Sequence, residues 1–469
     1  MAGRLTHRIY VAISVIIMLS FAPVESGARD SRYTRKGTGP RYWIAYEYCY
    51  DLNRPMTETR WKSNIDWMAE TFRDYGYDMI SNDGWIEAAQ TVDGNGYITK
   101  YNSGWEHGFG WWNAYIRSKG MKAGIYYNPL WMTRTAYEND CPVKGTSFSA
   151  RQIAGYHSFN GDLMWVDVDK PGAEQWVKGY VRHFIELGAA FLRIDFLENY
   201  ENNYGTARYE KALRWIMEEA GDEIFLSLVM PNCHDHAKTE LKYGDMFRVS
   251  DDCFSGEWDF VSSRRRGTVK DRWPKYGNVF DGMIAFSDVA GKGQMILDGD
   301  FMRLNKLADT GERRFLFSLM IMGGSPLAIA DQFDTITEDA EEIYRNEELL
   351  QIHDAGFAAR PLSTDIGDIN SSRWVGQLPD GSFVAGLFNR EDYAAEYAVD
   401  FCGELGIESG KAANVRDLWE HSDLGSMKGE YRTVIEPHCC KVVRIFPDGK
   451  KRFQAECASM KNGAAVRYE

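Results

Sequence analysis

The sequence predicts an α/β protein, a (β/α)₈ TIM barrel followed by a C-terminal antiparallel β-sandwich domain. From Arg41 onward, short β-branched and aromatic runs alternate with longer stretches of helical periodicity, the pattern of βα units around a parallel sheet. After about Ala358 that alternation gives way to closely spaced strands separated by turn residues. The 469 residues exceed one ordinary domain, and a barrel of about 250 residues leaves room for a smaller partner.

Residues 1–28 differ in character from the rest of the chain. Arg4, His7 and Arg8 form a basic start, Ile9 to Phe21 an apolar run too short to span a bilayer, and Ser26-Gly27-Ala28 a small-residue exit. This reads as a secretory signal peptide, so the mature chain is expected to be secreted or periplasmic, with no membrane insertion once the signal is removed.

The barrel is assigned to residues 29–357. Its strand candidates are Tyr42 to Glu47, Tyr77 to Asn82, Lys122 to Asn128, Phe191 to Phe196, Ile224 to Val229, Met246 to Ser250, Gln294 to Leu297 and Pro326 to Ala330. Eight is the number a closed barrel requires. Between them Arg60 to Tyr75, Gly110 to Lys119, Gly172 to Leu187 and Tyr209 to Ala220 repeat apolar residues at helical spacing. Several of these helices stop at a glycine just before the next strand: Gly76, Gly120 and Gly188.

Residues 358–469 form the β-sandwich domain with a polar tail. Trp374 to Gln377, Ser382 to Phe388, Tyr397 to Phe401, Arg432 to Ile435 and Lys441 to Phe446 alternate as strands do, and Pro379-Asp380-Gly381 makes a turn between the first two.

Composition narrows the partners. With 54 Lys+Arg against 68 Asp+Glu the formal net charge is -14, which repels phosphate backbones and anionic membranes and argues against nucleic acid. The eight cysteines are sparse, show no CxxC pair and read mostly as buried free thiols. His234 and His236 flank Asp235, but no third ligand is evident, so no metal is expected. No GxSxG elbow is present, and Gly94-Asn95-Gly96 lacks the context of a phosphate loop.

In a (β/α)₈ barrel the reacting groups project from the C-terminal ends of strands. Here those ends read Ser81-Asn82-Asp83-Gly84-Trp85, Arg193-Ile194-Asp195, Arg248-Val249-Ser250-Asp251-Asp252 and Leu297-Asp298-Gly299-Asp300, so carboxylates converge on one mouth from four strands. Asp195 ends an apolar run, where an isolated carboxylate is costly and must be paired or functional. Arg193 points the same way along the strand and is placed to keep Asp195 ionised, which suits a nucleophile. Asp252 has Asp251 beside it, and repulsion between two carboxyls raises at least one pKa, a means of holding a proton for donation. Asp251 itself reads as a cap or loop hydrogen-bonding group. Trp43, Trp85, Tyr126 and Trp131 fall at or beyond strand ends, positions suited either to stacking on sugar rings or to the core.

On these residues the chain resembles glycoside hydrolase family 27, the family of α-galactosidases and α-N-acetylgalactosaminidases, over nearly all of the mature sequence. Trp43 to Glu47 resembles the family's first-strand tryptophan segment, Asn82-Asp83-Gly84-Trp85 its Asp-Asp-x-Trp, and Lys122 to Tyr126 its Lys-x-Gly-Ile-Tyr. Arg193-Ile194-Asp195 stands where the family has Lys-Tyr-Asp, and Arg248 to Asp252 resembles its Arg-x-Ser-Gly-Asp. Asp298-Gly299-Asp300 resembles Asp-Pro-Asp-Met, and Gly324 to Leu327 the last barrel strand. The resemblance implies a retaining exo-glycosidase with Asp195 as nucleophile and Asp252 as acid/base. It further implies substrate binding by Trp43, Asn82, Asp83, Tyr126, Arg193, Arg248, Asp298 and Asp300. No cofactor is needed for this chemistry, and the partner is an oligo- or polysaccharide.

Three departures bear on which sugar is taken. Asn82 replaces the first carboxylate of the Asp-Asp pair, which in the family grips the sugar's distal hydroxyls. Arg193 replaces a lysine, and a planar fork is not interchangeable with a point charge. Ser227-Leu228-Val229-Met230-Pro231 lacks the element that reads the hydroxyl beside the anomeric carbon. The first expectation is removal of a terminal α-galactose-like sugar; the alternatives on the same scaffold are a β-L-arabinopyranosidase or an isomaltose-releasing glycosidase. From another class, a non-catalytic carbohydrate-binding barrel also fits the altered pocket.

Overall fold

The computed structural model describes residues 37–46, 54–84, 91–158, 162–253, 256–263, 273, 276–291 and 293–447. Residues 1–28, where a signal peptide is expected, together with Trp85, Cys49, Cys457 and the polar tail, lie outside the described residues.

All eight barrel strands expected from the sequence are found, each within a few residues of its expected span: Arg41–Ala45, Met79–Asn82, Lys122–Tyr126, Ala189–Ile194, Phe225–Leu228, Met246–Arg248, Ile296–Asp298 and Leu327–Ile329. They pair in parallel in chain order, first with second through to sixth with seventh, and first with eighth. Closure comes through a kink in the seventh. Ile296–Asp298 pairs with the sixth strand, while Phe301–Met302, two residues further along the chain, pairs with the eighth. The sheet thereby curls into a (β/α)₈ barrel.

The flanking helices obey the expected grammar. Glu58–Thr71 starts on Thr57, whose side chain caps Arg60 N, and turns its apolar stripe of Trp61, Ile65 and Met68 inward. Phe109–Ser118, Ala173–Glu186 and Thr206–Ala220 likewise bury an apolar face on other sides of the barrel, each starting at a glycine without a side-chain cap. Gly76, Gly120 and Gly188 adopt φ of 83°, 76° and 83°, a left-handed conformation that lets the chain leave a helix and enter the next strand without a Cβ clash.

Several strands are shorter than expected because polar residues turn the chain toward the barrel mouth. The third stops at Tyr126, and Asn128 makes a tight turn in which its Oδ1 accepts Leu130 N at 2.9 Å. A structure the periodicity does not reveal lies between the third and fourth strands: Trp131–Thr133, Ala154–His157 and Leu163–Val166 form a small antiparallel sheet. Runs of three or four residues are too short to show a period, and this sheet is held by packing, with the rings of Trp131 and Trp165 centred 6.2 Å apart.

The C-terminal region is the expected antiparallel sandwich. One sheet contains Arg360–Pro361, Arg373–Gln377, Phe383–Phe388, Cys440–Phe446, Ala412–Asp417 and Ser422–Lys428, and the other contains Ala395–Asp400 and Glu430–Ile435. Ala412–Asp417 and Ser422–Lys428 escape sequence reading because the first alternates only through Ala413 and Val415, too weak a signal, and the second is mostly exposed. Alternate residues face opposite ways: Val384 and Phe388 join the barrel's core, while Ala385 and Leu387 pack inside the sandwich with Tyr397 and Val399. Gly386 shares the barrel-facing side, where a Cβ would come within 2.9 Å of Met322. A buried ion pair, Arg390 to Asp281 at 2.7 Å, fastens this region to the barrel.

Among the described residues, Cys141, Cys253, Cys402, Cys439 and Cys440 are free thiols, and Cys141, Cys233 and Cys253 are buried. No helix of the described residues is long and apolar enough to cross a membrane.

Candidate active site

The kink in the seventh strand builds the floor of the mouth. Asp300 takes the unusual φ of 72°, its N–H donates to Asp298 Oδ1 at 2.8 Å, and the N–H of Gly299 donates to Ser325 Oγ at 3.1 Å. A Cβ at position 299 would come within 2.7 Å of the Met283 and Met320 side chains, so glycine lets those two methionines pack directly against the bend. The bend turns both aspartates into the barrel, where neither side chain is exposed.

Two arginines converge on this floor. Arg193, from the fourth strand, donates through Nη1 to Asp298 Oδ2 and through Nη2 to Asp300 Oδ1, both at 3.1 Å, with its Nε 3.9 Å from Asp83 Oδ1. Arg248, from the sixth strand, reaches Asp300 Oδ2 at 2.5 Å through Nη1 and Asp252 Oδ1 at 2.8 Å through Nη2. Asp300 therefore bridges two guanidiniums, and it also accepts Cys253 N at 2.8 Å.

The expected pairing of Arg193 with Asp195 is not what forms. Arg193 spends its planar fork on the seventh strand, whose two carboxylates match its geometry. Asp195 is held instead by Tyr126, whose hydroxyl donates to Oδ2 at 2.7 Å, and by the backbone N–H of Phe196, which donates to Oδ1 at 2.7 Å. Phe196 has φ of 60°, and that sharp turn aims its N–H back at the carboxylate. Asn128 completes the support by donating to the Asp195 carbonyl at 2.7 Å.

Burial separates the group into two tiers. Arg193, Arg248, Asp298 and Asp300 have 0–2 % of their side chains exposed, whereas the Asp252 side chain is 30 % exposed and Asp195 is also part-exposed. The lower tier is a charged scaffold, and the upper presents carboxyls to whatever enters.

Charge balance then dictates protonation. Two guanidiniums share this mouth with a larger number of carboxyls, and burial disfavours the charged forms of Asp83, Asp195, Asp252 and Asp300. Burial pushes Asp83 up to about 7 and Asp300 up to about 6, against the opposing pull of Arg193 and Arg248. Asp195 is raised by burial, with Tyr126 and Arg193 restraining the rise. Asp252 is raised by burial and by the charges of Asp195 and Asp251, while Arg248 opposes the rise. Asp251 accepts Asp252 N at 3.0 Å, the loop hydrogen bond expected for it.

The remaining candidates divide. Asp83 sits beside Arg193 within the group. Asn82 is buried and its Oδ1 accepts Tyr126 N at 2.9 Å, so its oxygen ties the second strand to the third. Trp43 has no exposed surface; its indole N–H donates to Asp331 O at 2.8 Å and its ring packs on Trp61. Trp131 is buried against Tyr126 and Trp165. Tyr126, considered for ring stacking, contributes its hydroxyl.

One carboxyl near the mouth escapes sequence reading. Glu198 opens the helix Leu197–Tyr204 immediately after Asp195. It is buried, and burial with the charges of Asp195 and Asp252 pushes it up to about 8, against backbone N–H groups at the helix start. Its place three residues after Asp195, a second carboxyl close behind a strand-ending one, is the signal available in the sequence.

The histidines considered for metal binding lie apart from this group. His236 pairs with Asp288 at 2.8 Å. Glu58, Glu106 and His107 bring possible ligand atoms near one another, but Glu58 already accepts from Trp112 Nε1 and the N–H groups of Glu106 and His107.

Comparison with known proteins converges on carbohydrate-active relatives. Residues 369–445 match the model of the alpha galactosidase C-terminal beta sandwich domain. The chain is 42 % identical to isomalto-dextranase of Arthrobacter globiformis, over 94 % of this chain and 73 % of that protein. The structure of isomalto-dextranase from A. globiformis T6, complexed with panose, superposes with a TM-score of 0.84 at 41 % identity, covering 89 % of this chain and 74 % of that one. A β-L-arabinopyranosidase from Geobacillus stearothermophilus, in complex with arabinose, shares the fold with a TM-score of 0.73 at 22 % identity, over 89 % and 99 % of the two chains.

Proposed function

Because the chain belongs to glycoside hydrolase family 27, a family of retaining exo-glycosidases, we propose that it cleaves dextran-type glucans and releases isomaltose units. The observation that carries this reading is the 42 % identity to an isomalto-dextranase across nearly the whole chain, against 22 % to the β-L-arabinopyranosidase. A galactose-removing activity is less well supported. In the family a carboxylate at the position of Asn82 grips distal hydroxyls, and here the Asn82 oxygen is engaged by Tyr126 N.

In this reading Asp195 attacks the anomeric carbon. Tyr126 and the Phe196 N–H orient it, and the charge of Arg193 favours its ionised form. Asp252 protonates the departing glycosidic oxygen, then takes a proton from the water that opens the glycosyl-enzyme intermediate. Its raised pKa suits the first half of this cycle, and Arg248 at 2.8 Å steadies the carboxylate formed by proton donation. Arg193, Arg248, Asp298 and Asp300 form the rigid base under both acids, and Asp83 lines the wall beside them. The basic-then-apolar start of the chain supports export to where such polymers are met.

The experiment is digestion of dextran with chromatographic analysis of products, alongside aryl α-galactosides and aryl β-L-arabinopyranosides. Isomaltose as the first and dominant product is expected. Hydrolysis of the galactoside or arabinopyranoside with dextran untouched would overturn the substrate, and sugar binding without hydrolysis of any would overturn the enzyme.

A further inference from the structure

Glu198 lies three residues beyond Asp195, in the first turn of the helix that follows it, and its backbone N–H donates to Met230 O at 2.8 Å, which fastens it to the chain leaving the fifth strand. Its side chain is buried, the residue being 6 % exposed, and Oε2 has no hydrogen-bond partner. Glu201, three residues on in the same helix, has both oxygens occupied: Thr206 donates to Oε1 at 2.7 Å and Asn232 to Oε2 at 3.0 Å. A buried carboxyl oxygen left unmatched costs stability, and such groups concentrate where a ligand completes them. The neighbouring exit of the fifth strand, Val229-Met230-Pro231, offers no side-chain hydroxyl, amide or charge.

We propose that Glu198 recognises the hydroxyl adjacent to the anomeric carbon, its carboxyl turning the unmatched Oε2 to hydrogen-bond that group when a sugar ring sits between Asp195 and Asp252. This rests on the assignment of those two aspartates to the reacting centre. Glu198 follows Asp195 by three residues at the start of the next helix and is tied to Met230 O at the exit of the fifth strand, which sets it at the mouth the two acids share, and the 2-hydroxyl is the sugar hydroxyl nearest the carbon they flank. A hydrogen bond there strengthens as positive charge develops on the ring. The pKa of about 8 supports the role, since the acid keeps its proton at neutral pH and can donate as well as accept.

The test compares kcat/KM on an aryl α-isomaltoside with that on its analogue lacking the 2-hydroxyl of the reacting ring. If the galactoside is the compound hydrolysed, the same pair built on galactose is used. Glu198→Ala is expected to lower the ratio of hydroxy to deoxy substrate by about 10- to 100-fold, while Glu198→Gln, which can still donate and accept, keeps most of it. Glu198→Met, similar in length, replaces the alanine variant if that one does not fold. Equal losses on both substrates, leaving the ratio unchanged, would overturn the proposal. Rescue of Asp195→Gly by azide reads the assignment of the nucleophile independently, so failure of one reading is not mistaken for failure of the other.

Discussion

Tyr126 donates its phenolic hydrogen to Asp195 Oδ2 at 2.7 Å across neighbouring barrel strands. The bond favours the ionised carboxylate and holds it in one orientation. Tyr126→Phe is expected to lower kcat/KM about 10-fold, as befits a lost hydrogen bond to a charged group, and to move the acidic limb of the pH profile upward. An unchanged acidic limb would show that the hydroxyl does not tune Asp195.

Asp195→Asn is expected to abolish turnover with the circular dichroism spectrum and unfolding transition retained. Asp252→Asn is expected to slow poor leaving groups by about 10²- to 10⁴-fold and activated aryl leaving groups much less. Equal losses on both classes would contradict proton donation by Asp252.

The pH dependence is set by two raised carboxyls. Activity falls as pH drops through the pKa of Asp195, because the nucleophile is then protonated, and falls as pH rises through that of Asp252, because the acid has lost its proton. Both groups are shifted upward, so the bell of kcat/KM should sit above the ordinary carboxylate range of about 4. A maximum at or below about pH 4 would mean that burial does not govern these acids.

Asp300 neutralises Arg193 and Arg248 together. Asp300→Asn leaves two buried guanidiniums short of a counter-charge and is expected to cost about 3–5 kcal/mol of stability, measured by urea unfolding. A loss below about 1 kcal/mol, typical of an exposed pair, would show that the floor is wetter than its burial implies.

Glu198 should burden the fold at neutral pH. Its folded pKa of about 8 exceeds the ordinary 4.5, so its contribution is most favourable below 4.5 and is lost progressively as pH rises toward 8. Glu198→Gln, which has nothing to ionise, is expected to be more stable than wild type at about pH 7 by on the order of a few kcal/mol, with the gain vanishing near pH 4. Thermal unfolding at both pH values reads this directly, and a gain independent of pH would refute it.

The barrel was legible because its signals are local. Apolar runs of strand length, helical periods between them and glycines at helix ends are set by backbone geometry within a few residues, and they located all eight strands. The acids at the mouth could be named for the same reason: a carboxylate that ends an apolar strand stands out wherever it occurs. The excursion holding Trp131–Thr133 and Leu163–Val166 was not legible, since strands so short carry no period of their own.

By itself the sequence determined the barrel, the sandwich and which carboxyls end which strands, because strand and helix periods are properties of the chain alone. Tertiary structure alone decided their partners. Arg193 lies two residues from Asp195 yet bonds Asp298, 105 positions away, because curling the sheet sets the kinked seventh strand within reach of its fork. The same closure decided that Asn82 uses its oxygen on Tyr126 and that Glu198 is buried with one oxygen unmatched. Burial and the sum of neighbouring charges govern which carboxyls keep a proton, and both exist only once the strands surround a common centre.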